Sequence, residues 1–253
     1  MSSLAVGLIS AGTIFSGSLL GMGLQRLLPG HHLNKETQDV VKLSAGMIAT
    51  LTAMVLGLLV SSAKGSFDTT NTAIVQGSTK IIVLDRALAA YGTETQRARE
   101  QLKRSLAAGI EAVWPLQKTG VSTLTAIERS NAMELVRDQL RELRPDNDTQ
   151  RQIVAQAQQI VSELSHMHWL LIEQAQNQLP LFLLIILVFW LALLFVSFGL
   201  FSPPNVTAIT VLFVGACAVS AAIFLVLELN RPLEGLVKVS NRPLWAAFQH
   251  LGQ

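Results

Sequence analysis

Apolar residues gather into four long runs, Leu4 to Leu28, Leu43 to Val60, Leu179 to Phe201 and Val206 to Leu229, and charge enters them only near their ends, at Arg26 and Glu228. A membrane-crossing helix needs about 20 apolar residues to cover about 30 Å of hydrocarbon, because its backbone must satisfy its own hydrogen bonds there. Each run meets or nearly meets that length. The pattern predicts an all-α chain with four transmembrane helices and a helical bundle inserted between spans 2 and 3. Residues 1–63 carry the first two spans, 64–178 the inserted domain, 179–229 the last two spans and 230–253 a tail.

Inside the insertion the polar pattern changes to helical periodicity. Phe67, Ile74, Ile81, Leu84, Leu88 and Tyr91 recur three, four and seven apart, so the second helix is expected to run on out of the membrane until Gly92 stops it. Thr93 with Gln96 reads as a capping box before the stripe Ala98, Leu102, Leu106, Ile110, Val113, which ends near Pro115. Thr125 with Glu128 opens a further helix with Met133, Val136, Leu140 and Leu143 on one face and Pro145 after it. Asp146-Asn147-Asp148 then caps a last one with Ile153, Ala157, Ile160, Leu164, Met167 and Leu171 in line, leading through Glu173 and Gln178 toward Pro180. Faces of this kind bury against one another as a bundle. In the tail, Leu236 to Val239 reads as a short extended piece, and Leu244, Phe248 and Leu251 mark one face of a short helix starting near Pro243. That face would pack on the bundle or a neighbouring subunit, or lie on the membrane.

Charge is segregated. The stretch from Lys64 to Gln178 holds thirteen basic and thirteen acidic residues, so the net charge of +2 lies elsewhere, and no basic stripe marks a nucleic-acid surface. Half of all residues are hydrophobic and 14% charged, which fits a bilayer better than water as the partner. The single cysteine, Cys217, falls within the fourth run and excludes an intrachain disulfide framework. Met1-Ser2-Ser3 brings no basic side chain and no small-residue cleavage site comes after it, so the first run is expected to be a retained span. Four spans put both termini and the insertion on one side. Lys64, Lys80, Arg231, Lys238 and Arg242 there, against Arg26, Lys35 and Lys42 opposite, place that side in the cytoplasm. Asn205-Val206-Thr207 fits a glycosylation sequon, but at a membrane boundary it reads as a turn and helix cap.

The second run carries the main candidate site. Gly46, Thr50, Ala53, Gly57, Ser61, Lys64 and Asp68 succeed one another at spacings of four and three, which keeps them on one helical face that is small and hydroxylated. Leu43, Met47, Leu51, Val55, Leu58 and Leu59 occupy the other faces. Such a face either lets two helices approach closely or, repeated around an axis, lines an ion path. Gly17-xxx-Gly21 in the first span and Thr207, Thr210, Gly215, Cys217 and Ser220 in the fourth read as contact surfaces, whereas the bulky third span, with Phe182, Phe189, Trp190, Phe195 and Phe198, is expected to face lipid. Lys64, Asp68 and Glu228 form a possible charged mouth on one side of the membrane, or are solvated helix ends. His31 and His32 fall in a loop, and His166 and His168 are two apart on a helix, which points them in different directions; neither pair has metal spacing. No phosphate-cradling glycine loop, G-x-S-x-G, H-E-x-x-H or metal-spaced cysteine pair occurs, so no enzyme activity, cofactor or metal is expected.

The stretch from His32 to Asp68 (HLNKETQDVVKLSAGMIATLTAMVLGLLVSSAKGSFD), LDRALAAYG from Leu84, NDTQRQ from Asn147, FWLALLFVSFGLFSPPN from Phe189 and LVLELNRPLEGLVKVSNRPL from Leu225 resemble the bacterial bestrophin-like family over nearly the whole chain. The resemblance implies the layout of bestrophins, which are pentameric channels with four spans, cytoplasmic termini, a helical region between spans 2 and 3 and a pore lined by span 2. The chain lacks the Arg-Phe-Pro tripeptide that bestrophins carry, and an aromatic set in span 2 for their hydrophobic neck. By this resemblance the chain is expected to form a homo-oligomer in the bacterial inner membrane that passes small inorganic ions along the stripe, with Lys64 and Asp68 at the cytoplasmic mouth. The alternative is a membrane-anchored helical scaffold or sensor that binds a protein partner and conducts nothing.

Overall fold

Asparagine side chains set where several helices begin. The Thr37 N–H donates to Asn34 Oδ1 (2.8 Å), which starts the second helix eight residues ahead of the apolar run at Leu43. Asn205 accepts from the Ala208 N–H (2.8 Å) and caps the fourth span, the role expected of it in place of a glycosylation site. The computed structural model describes residues 2–29, 34–114, 132–176, 181–233 and 235–252, and among them there is no β-strand. In chain order the helices are α1 (Ser3–Leu27), α2 (Lys35–Tyr91), α3 (Gln96–Val113), α4 (Ala132–Glu142), α5 (Asp148–Gln176), α6 (Leu181–Leu200), α7 (Val206–Leu229) and α8 (Arg242–His250). Helices α1, α2, α6 and α7 are long and apolar enough to cross a membrane. The protein is an all-α membrane protein with a helical bundle between its second and third spans. His31 and His32, the helix end at Pro115, the helix start at Thr125 and Glu128, and Gln178 with Pro180 lie outside the described residues.

Two compact units form, one from Met1–Gly65 with Leu179–Asn230, the other from Ser66–Gln178 with Arg231–Gln253. The membrane unit is assembled around glycine. A Cβ placed on Gly21 would sit 2.1 Å from Val196 O, and one on Gly199 would sit 2.0 Å from Ser18 O. Helices α1 and α6 therefore meet backbone to backbone, the close approach that small residues permit in a bilayer. Ile14, Leu59, Leu187, Leu191, Leu194, Ile223 and Val226 fill the core beside that crossing. The third span is more than a lipid-facing helix. Phe182, Phe189 and Phe198 are exposed, but Phe195 is buried, because the glycine seam draws one side of α6 inward.

Gly92, at φ +136, ends α2 where the pattern expected a stop. The capping box at Thr93 and Gln96 does not form. Thr93–Thr95 is a 3₁₀ turn, and the one proton of the buried Thr95 hydroxyl is shared between Leu88 O (2.5 Å) and Gly92 O (2.8 Å), serving the carbonyl end of α2 instead of the start of α3. At α5 the expected cap is present, with Asn147 Oδ1 accepting from the Gln150 N–H and Gln150 Oε1 accepting from the Asp146 N–H, both at 2.8 Å. Most of the predicted stripe residues close one core, in which Leu84, Leu88, Leu102, Leu106, Val136, Leu140, Ala157 and Leu164 pack with Ala247 and Leu251 of the tail, while Phe67, Ile74 and Val113 join a second, smaller cluster with Leu233 and Val239. The apolar face of α8 thus belongs to the bundle. Leu236 to Val239 is not a strand; Val239 N–H closes a loop on Pro232 O (2.9 Å), since no second strand is present among the described residues to pair with.

One buried ion pair holds this bundle. Arg99 Nε and Nη2 donate to Asp85 Oδ1 and Oδ2 at 2.8 and 2.9 Å, and the Gly252 N–H adds a third contact at 3.3 Å. The Asp85 side chain is only 2% exposed. Asp85→Ala strands the guanidinium, and the expected result is a loss of about 3 kcal/mol, read as a lower unfolding midpoint of the purified protein. An unchanged midpoint would show that the pair carries no stability.

His168, half-buried on α5 with its ring 5.9 Å from that of Trp169, is held below the ordinary histidine range by burial. The unfolded chain therefore takes the proton first, and the stability this site contributes is present above about pH 6.5 and lost as pH falls below it. The unfolding midpoint should drop between about pH 7.5 and 5.5, a range that brackets the ordinary histidine value, and drop less in His168→Gln. Parallel profiles for the two proteins would contradict this.

Candidate functional site

Residues three and four apart on a helix share a face, and along α2 that rule separates two kinds of surface. Ala45, Thr52, Leu59 and Ala63 are buried, and Ala45, Leu59 and Ala63 belong to the core of the membrane unit. The stripe is elsewhere on the helix. Gly46, Thr50, Ala53, Gly57 and Ser61 are all exposed, as are Lys64 and Asp68 beyond them. A Cβ built on Gly46 or Gly57 meets nothing within 4 Å. These glycines are not spaces kept for another helix of the same chain, in contrast to Gly17, Gly21 and Gly199, where the neighbouring backbone occupies the place a side chain would take.

The chemistry of the face is mild. Thr50 Oγ1 donates to Gly46 O (2.9 Å), which leaves its oxygen lone pairs turned outward, and no charge occurs from Gly46 to Ser61. Such a surface offers hydroxyl oxygen and helix backbone to whatever faces it. Beside it runs a second exposed strip, Leu43, Met47, Leu51, Met54 and Leu58, which is large and apolar. The candidate mouth residues differ in setting: Lys64 and Asp68 are exposed, whereas Glu228 is 3% exposed within the packed end of α7.

Past the membrane run, α2 and α5 border an open groove of about 730 Å³ lined by Asp68, Thr72, Gln76, Lys80, Glu163 and His166, among others. The Lys80 ammonium pairs with Glu163 and, together with Gln159 Nε2 (3.0 Å), holds that carboxyl below the usual glutamate range. Sequence reasoning did not find this pair, since its members lie 83 residues apart and no local spacing links them. Among the described residues no group of three or more His, Cys, Asp or Glu is placed to hold a metal ion.

The family model of the Bestrophin-like domain matches residues 12–244. The chain belongs to the bestrophin-like family. The fold agrees: two crystal structures of point variants of a bacterial bestrophin homologue from Klebsiella pneumoniae superpose with TM-scores of 0.68 and 0.67. They cover 97% and 95% of this chain and 98% and 99% of their own, at 14% sequence identity in each case. At that identity the likeness is one of fold, and it extends through both units of this bestrophin-like chain. No curated protein matches the sequence significantly.

Proposed function

We propose that this bestrophin-like protein forms a homo-oligomeric ion pathway in the bacterial inner membrane, with the exposed face of α2 turned toward the symmetry axis. The observation that carries this reading is the exposure of all seven stripe residues along one face of α2, in contrast to Gly17, Gly21 and Gly199, whose places are filled by neighbouring backbone. In lipid an exposed run of glycine and hydroxyl side chains has no packing partner, whereas around an axis it borders water and ions. The adjoining strip from Leu43 to Leu58 supplies apolar surface for the neighbouring copies. Thr50, Gly57 and Ser61 line the path, and Gly46 and Ala53 complete the face. Lys64 and Asp68 stand at the mouth, and the bias of basic residues near the span ends supports a cytoplasmic setting for it and for both termini. The inserted bundle, residues 64–178, is then the cytoplasmic domain.

Assembly is tested before flux. In a Cys217→Ala background, Gly57→Cys is expected to give covalent dimers on mild oxidation in native membranes, and the detergent-purified protein is expected to have the mass of a closed oligomer. A monomeric mass with no cross-link would overturn the arrangement.

A further inference from the structure

The chain beyond the last span leaves two adjacent large apolar side chains in the open. Leu236 is 73% exposed and Val237 38%, at the tip of a loop that turns through Gly235 at φ +88. Scattered apolar residues on a surface are ordinary, so exposure alone decides nothing. The loop, however, is held at its base. The Val239 N–H donates to Pro232 O (2.9 Å), the Trp114 indole N–H donates to Val239 O (3.1 Å), and Leu233 and Val239 are buried with Ile74 and Val113. The two side chains are thus presented outward by a fixed scaffold.

Position says what they meet. Leu236 comes seven residues after Leu229, the last residue of a membrane span, which limits its reach to about 25 Å even if fully extended. The cluster that anchors the loop also includes Phe67 of α2, and Phe67 comes four residues, or about 6 Å of helix, after Ala63, which is buried in the membrane unit. Charge points the same way. From Asn230 onward the tail carries Arg231, Lys238 and Arg242 against the single acidic Glu234, in a protein whose large inserted segment is neutral. Apolar side chains flanked by cations suit the boundary between acyl chains and anionic headgroups.

We propose that the loop 235–238 is an interfacial anchor, with Leu236 and Val237 inserted among the lipids of the adjoining leaflet and Lys238 against an anionic lipid phosphate. The inference does not depend on ion conduction. An inserted loop in a non-conducting protein would uphold it, so its failure and that of the pathway are distinguishable.

The test uses the full chain with Cys217→Ala and Leu236→Cys, the new thiol labelled with an environment-sensitive fluorophore. The protein is reconstituted in phosphatidylcholine vesicles with and without phosphatidylglycerol. The expected result is quenching by lipid carrying a nitroxide near the headgroup and little quenching by aqueous iodide. Adding Lys238→Glu should lower the lipid quenching about fivefold in the anionic vesicles and leave it unchanged in the neutral ones, the effect of a single cationic contact with the surface. Strong iodide quenching would place the loop in water. Protection from both quenchers would mean that a second copy covers it. Either outcome overturns the proposal.

Discussion

Gly21→Val is expected to remove the folded protein almost completely from the detergent-soluble membrane fraction. The reason is local and steric. A single Cβ at this position already falls 2.1 Å from Val196 O and 2.8 Å from the Leu200 nitrogen, and both are backbone atoms of a neighbouring helix that cannot rotate aside. Relief requires α1 and α6 to part along their length, which uncovers the contacts around Ile14, Leu187, Leu191 and Leu194. Overpacking a well-filled core costs about 1–3 kcal/mol, and a clash against backbone belongs at or above the top of that range. Gly199→Val, whose Cβ would meet Ser18 O at 2.0 Å, should fail in the same way. Gly12 lies on the same helix as Gly21 with nothing within 4 Å of a built Cβ, so Gly12→Ala should be harmless or gain about 0.5–1 kcal/mol of helix preference. Yield and unfolding midpoint of the purified variants decide the matter. A normal midpoint for Gly21→Val would mean that the glycine seam does not hold the membrane unit together.

The second large effect concerns function. Gly57→Leu is expected to leave expression, oligomer mass and unfolding midpoint unchanged while lowering ion flux by about tenfold or more, because a ring of apolar side chains at a narrow axis excludes water and ions. The two glycine substitutions therefore separate two uses of the same residue type. At Gly21 the space is filled by the chain itself; at Gly57 the chain fills nothing. Unaltered flux in a correctly assembled Gly57→Leu protein would take that residue off the path, and loss of the oligomer would make the stripe a contact surface between copies.

The four spans were legible because nothing competes with a charge-free apolar run of bilayer length, and the fourth was read to the residue, Val206 to Leu229. The stripes of α3 and α5 were legible for a similar reason: Ala98 to Ile110 and Ala157 to Leu164 face one core, so a single periodicity describes them, while Val113 at the end of α3 joins a second cluster. Where two elements meet, local patterns lose their hold. Thr93 and Gln96 have capping-box spacing, but Gly92 turns the chain so that Thr95 points back at α2, and the tertiary contact wins. Asp85 and Arg99 sit on different helices joined by that same turn, and the sequence shows them only as two ordinary charges. Leu236 to Val239 has the composition of a strand but, among the described residues, no partner to pair with. The stripe on α2 was found by spacing. That Gly46, Thr50, Ala53, Gly57 and Ser61 are all exposed was not legible, because periodicity says which residues share a face and not what lies opposite.

If the exposed face of α2 borders an ion path, the most direct measurement is ion flux into liposomes containing the purified oligomer, with cation and anion gradients imposed separately. Flux is expected for at least one class of small ion, abolished by Gly57→Leu in protein of unchanged oligomeric mass. No flux for any small ion, from a folded and closed oligomer, would contradict the pathway.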